Sequence, residues 1–391
     1  MKKLLLILLI SSAWSCSNEA DPELDKANFT RIFNSNRYNA SYNPIDIKQT
    51  ADGGYLVLAG RELENSNFSG IYIIKTDNVG TFESEFIVDE TFVNPVGELM
   101  LANENFYFFC MTGVNLQTQL VEVSQAGEIN QVINVGGTYP SAAAMDGGNF
   151  LLLGYDNASK ETVLSIVSPA GAVSQSASFS IGAGDAVEEP IINHFIRTGR
   201  KYPFQVGKTL GGQYFFNGFY NYTFSLVFTD LSEIQGVVQG QQDDGGISYL
   251  LNTTGNTFAT ARFNFGDNYF IPNTPINTSG VSSSTDLPGF ELLELTADAP
   301  VKILASSIKN TEVLVYASNT KGGQIGLYIY DRASGDFLGT KYLGFSNPYE
   351  VSGVINTADE GILVCGTTYV AGRFPRITLF KLSKEELDKV F

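Results

Sequence analysis

The segment TADGGYLVLAG, residues 50–60, followed at residues 71–80 by IYIIKTDNVG, decides how the rest of the chain is read. Asp52-Gly53-Gly54 supplies the positive φ angles that a tight hairpin turn needs. Tyr55–Gly60 is then a run of strand-forming apolar residues. A polar linker follows, and a second apolar run ends in Lys75-Thr76-Asp77 before another turn. Runs of four to eight β-branched and aromatic residues between turn signals read as strands. Because they are continuous rather than alternating, they suit strands covered on both faces.

Outward from this segment the pattern recurs. The second run reappears as TQLVEVSQAG from Thr118, TVLSIVSPAG from Thr162, FSLVFTDLSE from Phe224, FELLELTADA from Phe290, IGLYIYDRAS from Ile325 and ITLFKLSKEE from Ile377. The six intervals between Ile71 and Ile377 average 51 residues, which suits a four-stranded unit with loop insertions. The first run reappears as FYFFCM from Phe106, FLLLGY from Phe150, YFFNGF from Tyr214, FATARF from Phe258, VLVYAS from Val313 and ILVCG from Ile362. Past residue 40 the only helical periodicity is a short run near Glu385–Val390. Repeated β-units that bury one another by stacking predict an all-β fold, a seven-bladed β-propeller, with six or eight blades or a pair of β-sandwiches as the alternatives. After Ile377–Ser383 too little chain remains for an outer strand like Phe82–Val88 in the first repeat. Phe29-Thr30-Arg31-Ile32-Phe33 is expected to supply it and close the ring.

The TADGGYLVLAG…IYIIKTDNVG unit resembles the DGGY-type repeats of secreted Bacteroidota β-propeller lipoproteins. The full motif stands only in the first repeat, and fragments such as Asp146-Gly147-Gly148 and Asp359-Glu360-Gly361 stand in others. The resemblance implies a binding scaffold or, in fewer cases, a hydrolase or lyase; it narrows fold more than activity.

The N-terminus agrees with export. Lys2 and Lys3 precede Leu4–Ile10, an apolar core too short to span a bilayer, and small and polar residues lead to Cys16. Ser11–Cys16 resembles the lipobox of bacterial lipoproteins, which implies cleavage before Cys16 and diacylglyceration of its thiol. Ser15 fits that motif, whereas Ala13 stands where leucine is usual and Trp14 where a small residue is usual. The expected organisation is a signal peptide over residues 1–15, an acidic tether over 16–27 and one propeller domain over 28–391. Extended, the tether reaches about 40 Å. Its acidic start also resembles the export signal of Bacteroidota surface lipoproteins, so the expected location is the outer membrane, on its periplasmic face or at the cell surface.

Removing Lys2 and Lys3 leaves 22 basic against 41 acidic side chains, a net charge of −19. Such a chain repels nucleic acid and anionic lipid heads, so contact with the membrane is expected through the N-terminal lipid alone. The only tryptophan, Trp14, leaves with the signal.

Candidate chemistry is sparse. Cys110 and Cys365 fall in the column held by Ala59, Gly154, Gly218 and Ala317 in other repeats. Repeats two and seven are too far apart for a disulfide, so both read as small buried thiols. In the same column stands Arg262, either an anion-binding guanidinium or a solvent-facing side chain in a misregistered repeat. His194 is the only histidine and begins the most basic stretch of the chain, with Arg197 and Arg200, in an insertion between repeats three and four. That insertion is either an anion-contacting loop or a surface loop paired with neighbouring acids. Multi-histidine zinc is impossible, G-x-S-x-G and H-E-x-x-H do not occur, and no cofactor or metal is expected. Asp267-Asn268 and Asp243-Asp244 read as turns rather than calcium ligands. Tyr220 and Tyr222, in Asn217–Tyr222, belong to a sugar- or peptide-contacting loop or to an aromatic strand pairing. Two functional classes follow. One is a monomeric ring that binds an envelope protein or glycan. The other is a polysaccharide hydrolase or lyase that uses paired carboxylates.

Overall fold

The computed structural model describes residues 27–33, 41–183, 185–370 and 374–391. The signal segment, Cys16 and tether residues 17–26 lie outside the described residues. The strands form a succession of antiparallel meanders. The first runs through Tyr42–Gln49, Tyr55–Arg61, Gly70–Thr76 and Phe82–Ile87. The second runs through Phe92–Ala102, Asn105–Thr112, Gln117–Val123 and Ile129–Thr138, joined to the first by one pairing of Gly70 with Val93. The third comprises Pro140–Asp146, Asn149–Asp156, Glu161–Val167 and Val173–Ser180. The fourth comprises Gln205–Lys208, Tyr214–Tyr220, Thr223–Thr229 and Ile234–Gln239, and Val281–Ser283 adds to its outer edge in parallel. The fifth has Gly245–Thr254, Thr257–Asn264, Asp267–Pro275 and the two-residue strand Phe290–Glu291. The sixth has Val301–Ile308, Thr311–Asn319, Ile325–Asp331 and Phe337–Leu343.

The last meander has only three strands of its own, Tyr349–Asn356, Ile362–Val370 and Phe374–Leu382. Its fourth is Phe29–Phe33, in register from Phe29 opposite Lys381 to Phe33 opposite Ile377. Gly80, at φ +74°, permits this closure, because a Cβ there would come within 2.6 Å of the Phe29 ring.

Each meander's first strand lies beside the first strand of the next. Tyr42–Gln49 stands between Phe92–Ala102 and Tyr349–Asn356, so the circuit returns to its start. The fourth and fifth meanders are tied by Gln205, whose amide exchanges two hydrogen bonds of 2.8 Å with the Leu250 backbone. The apolar runs are therefore buried in the seams. Leu56, Leu58, Ile71 and Ile73 of the first meander pack on Phe106, Phe108 and Val121 of the second. Val57, Ile74 and Tyr55 pack on Leu363 and Leu379 of the last. Both faces of the second and third strands of the first meander are covered, as the unbroken runs predict.

The DGGY motif has a physical role here. Asp52 accepts from the Gly54 N–H at 2.9 Å and from Thr50, and receives the buried Lys75 ammonium at 2.9 Å. Burial opposes ionisation, but the hydrogen bonds from Thr50 and Lys75 bring the Asp52 carboxyl down to about 2. The last meander repeats the device with Thr357, Asp359 and Lys381, the lysine reaching Asp359 at 2.8 Å. The motif thus locks a turn to a lysine on the third strand.

Two expectations are corrected. FELLELTADA is not the third strand of the fifth meander; Asp267–Pro275 takes that place, and only Phe290–Glu291 of that segment pairs, at the outer edge. An 11-residue helix, Asp185–Phe195, lies where no helical periodicity was read. Pro190 within it, and large apolar residues only at Val187, Ile191, Ile192 and Phe195, obscure the pattern. The C-terminal helix Lys384–Leu387 lies where one was expected, capped by Ser383. Among the described residues no helix is long and apolar enough to cross a membrane.

Cys110 and Cys365 are both buried and unbridged, in the second and last meanders. Burial pushes the Cys365 thiol well above its ordinary value. The chain from Ser17 onward, denatured without reductant, is therefore expected to take up two equivalents of a thiol reagent, and none while folded.

Candidate functional site

In a meander the turns alternate between two rims. The connections from second to third strand, and from each outer strand to the next meander, open on one rim. The insertion of residues 181–204 sits there, between Val173–Ser180 and Gln205–Lys208. Its Ile191, Phe195 and Tyr202 are buried in one cluster with Leu63, Val93, Tyr155, Phe219 and Phe263. Each of these five partners comes from a different meander, the first to the fifth, so the insertion caps the rim.

Polar contacts fix the cap. Asn94 donates to the Phe195 carbonyl at 2.7 Å, and Tyr155 donates to Glu188 at 2.8 Å. The Arg197 N–H donates to the Asn67 carbonyl at 2.7 Å, and its guanidinium pairs with Glu62 at 3.0 Å. Arg200 reaches Asp244 at 2.8 Å, Asp298 at 3.1 Å and Asp243 at 3.7 Å, and lies over the Tyr202 ring. Of the two readings of this basic stretch, pairing with neighbouring acids describes Arg197 and Arg200.

His194 has its ring against Phe195, Tyr202 and Phe204, and Phe204 meets it edge-on at 4.7 Å. Its Nδ1 accepts the Tyr202 N–H at 2.9 Å, which requires the neutral ring. Burial among these groups, and secondarily the Lys201 charge, pull the imidazole down to about 3.

Arg262 is 8% exposed and stands in register opposite Tyr269, whose ring it covers at 3.7 Å. The fifth meander is not misregistered here and Arg262 does not face solvent. Burial draws the guanidinium below its ordinary value despite Tyr269. Tyr220 ends a strand and packs, half-buried, toward the third meander, while Tyr222 is 51% exposed in the following turn.

That turn is unusual. Asn221 and Tyr222 have φ of +44° and +71°, and the turn Phe265-Gly266 has +48° and +92°. Positive φ suits Asn or Gly, and a bulky residue there costs about 1 kcal/mol or more. Tyr222 lies over Gly182, where a Cβ would come within 2.8 Å of its ring. Phe265 is 69% exposed, and its N–H donates to the Asp244 carbonyl at 2.7 Å. Two strained aromatics therefore flank the cap. Val114, Leu293 and Phe345 are also exposed in loops of this rim. Sequence reasoning missed Phe265 and these three; the one signal was an aromatic directly before glycine in a turn.

A charged cluster lies on the first strands. Lys48 is 3.1 Å from Glu98 and 3.6 Å from Asp46, and Asp46 also accepts the Leu99 N–H at 2.7 Å. Burial works against the Lys48 charge, but Asp46 and Glu98 outweigh it and raise its pKa. Burial, and after it the Glu98 charge, raise the pKa of Tyr249 in the fifth meander, so the cluster acts within electrostatic reach of that meander. The spacing of 41 acids could not have selected this pair. Among the described residues no three His, Cys, Asp or Glu side chains group as metal ligands.

Strand order and the capped rim define a β-propeller. No protein-family model and no curated protein matches the chain. Among solved structures it is similar to apo prolyl oligopeptidase B from Galerina marginata at 10% identity and TM-score 0.47, covering 88% of this chain and 49% of that one. The chain thus spans about half the length of that protein. It is similar to the Dos1 propeller at 11% identity and TM-score 0.46, covering 88% and 93%. A third is the β-propeller domain of the Trilobed protease from Pyrococcus furiosus, at 8% identity and TM-score 0.45, covering 90% and 98%.

Proposed function

We propose that this chain is a binding module: a seven-bladed propeller of the DGGY lipoprotein type, held to the outer membrane by lipid on Cys16. It grips an envelope protein or glycan with its capped rim. The count of seven is supported by the meanders described, each with its first strand on the inner circuit and the last completed by Phe29–Phe33. The observation that carries the binding reading is the pair of exposed aromatics, Tyr222 and Phe265, held at positive φ beside the cap. Backbone strain and exposed apolar surface both act against folding and solubility, and a contact surface gives them a use.

The hydrolase reading requires two carboxylates free to work on a glycosidic bond. Asp46 and Glu98 are both engaged by the Lys48 ammonium, and Asp46 already accepts a backbone N–H. That arrangement favours a structural triad over an acid–base pair.

The double variant Tyr222→Asn/Phe265→Asn tests the reading. It relieves strain, so unfolding free energy is expected to hold or rise by about 1 kcal/mol. Binding to whole envelope fractions or to arrayed glycans is expected to fall at least tenfold. Undiminished binding by this stable variant would show that the rim is not the site. The anchor is tested separately: Cys16→Ser should release the protein from membranes or leave it unprocessed.

A further inference from the structure

Every propeller blade ends in an outer strand with one unpaired edge, and such edges normally carry protection. In the first meander Phe82–Ile87 carries Glu83 and Glu85, and in the sixth Phe337–Leu343 carries Lys341. The fourth is covered by Val281–Ser283, and the fifth ends in only two residues. The last edge is Phe29–Phe33 with Arg31. In the second, Ile129–Thr138 is broken by two register shifts and twisted at Gly136 and Gly137, both at positive φ.

The third meander is different. Its outer strand Val173–Ser180, VSQSASFS, has no charge and no proline. It runs in unbroken register from Gln175 opposite Ile166 to Ser180 opposite Glu161. Among the described residues nothing pairs with its other side. Six of its eight residues are exposed. Beside it the seam with the second meander opens into a cleft of mixed lining, with the hydroxyls of Thr118, Ser165 and Ser178 beside apolar Val135 and Val163 and the carboxylate of Asp156.

We propose that Val173–Ser180 is a docking edge for an extended segment of another polypeptide. The segment adds as a further strand and sets alternate small side chains into the cleft beside it. Main-chain hydrogen bonds supply affinity in this mode, and the pockets beside the edge supply selectivity. The neighbouring blade already shows the geometry, since Val281–Ser283 pairs in parallel with Val237–Gln239. A second copy of this chain is disfavoured as occupant, because two molecules of formal charge −17 repel. The inference is independent of the rim.

The probe is a library of random 12-residue peptides displayed on phage and panned on the full chain, with the most enriched sequence then synthesised. That peptide is expected to slow backbone hydrogen exchange at alternate residues of Val173–Ser180 at least tenfold. The variant Ser176→Lys/Ser178→Lys should weaken it at least tenfold without shifting thermal unfolding, and Tyr222→Asn/Phe265→Asn should leave it unchanged. Three results would overturn the proposal: protection confined to other segments, loss of peptide binding in the rim variant, or sedimentation showing that the chain dimerises through this edge.

Discussion

Asp359→Ala is expected to lower the unfolding free energy by about 3 kcal/mol in urea titration, the largest single effect proposed for this chain. Lys381 has a side chain only 1% exposed, and its one carboxylate partner is Asp359 at 2.8 Å. Among the described residues its remaining hydrogen bond is to the Leu382 carbonyl at 3.4 Å. Removing the acid leaves an ammonium buried without compensation, and breaking a buried pair from one side typically costs 3–5 kcal/mol. The low end applies because the Asp359 side chain is 56% exposed. Asp52→Ala should cost less, since Lys75 keeps Glu83 at 3.1 Å. The double variant Asp359→Ala/Lys381→Met removes the charge as well and should recover most of the loss. If the single variant unfolds at the wild-type midpoint, or the double variant is worse, the turn-to-lysine lock is not what holds the motif. The pH dependence has a definite sign. Both aspartates titrate below their ordinary range in the folded state, Asp52 at about 2. Their contribution is complete above the unfolded value near 4 and is lost as pH falls through the folded values.

This lock also shows what was legible in the sequence and what was not. The turn and strand halves of the motif could be read because Gly and Asp report backbone conformation locally and apolar runs report burial. The two repeats with a lysine on the third strand, Lys75 and Lys381, could be aligned, but alignment alone could not say that each ammonium turns back to the aspartate two strands away. Fold class, the closing strand Phe29–Phe33 and the unpaired Cys110 and Cys365 were all recoverable in the same way. The fifth meander failed because its third strand, Asp267–Pro275, carries two prolines and two asparagines, while FELLEL matches the pattern better. Tertiary pairing overrode the local signal there. The cap failed for a related reason: a helix with Pro190 and four scattered large apolar residues buries Ile191 and Phe195 only because five meanders converge on it. Arg262 could be placed in its column, but its cation–π partner depends on cross-strand register, which the column does not contain.

Acidification from pH 6.5 to 5 is expected to destabilise the protein by about 1 kcal/mol, and His194→Phe should abolish that dependence. The cause is geometric first. The Tyr202 N–H donates to His194 Nδ1 at 2.9 Å, and a protonated ring has no lone pair to accept it. Phe195 and Phe204 surround the ring with apolar surface. Burial and the nearby Lys201 hold the folded imidazole at about 3, against an unfolded value near 6.5. The folded state therefore favours neutral histidine, so its contribution is full above about pH 6.5 and is lost progressively as pH falls toward 3. As the chain's only histidine, it titrates alone in the pH 5–6.5 window, above the ordinary carboxylate range. One proton difference gives a slope of at most about 1.4 kcal/mol per pH unit, and the accessible edge of His194 reduces it. The loss should appear first in the cap, as faster hydrogen exchange over residues 185–204, before the meanders yield. Direct titration of the imidazole by NMR decides the matter. A folded-state midpoint near 6.5 would mean that the ring is solvated and that the cap is insensitive to acid. A midpoint well below 5 would tie opening of the rim, and any partner held there, to the protonation of one side chain.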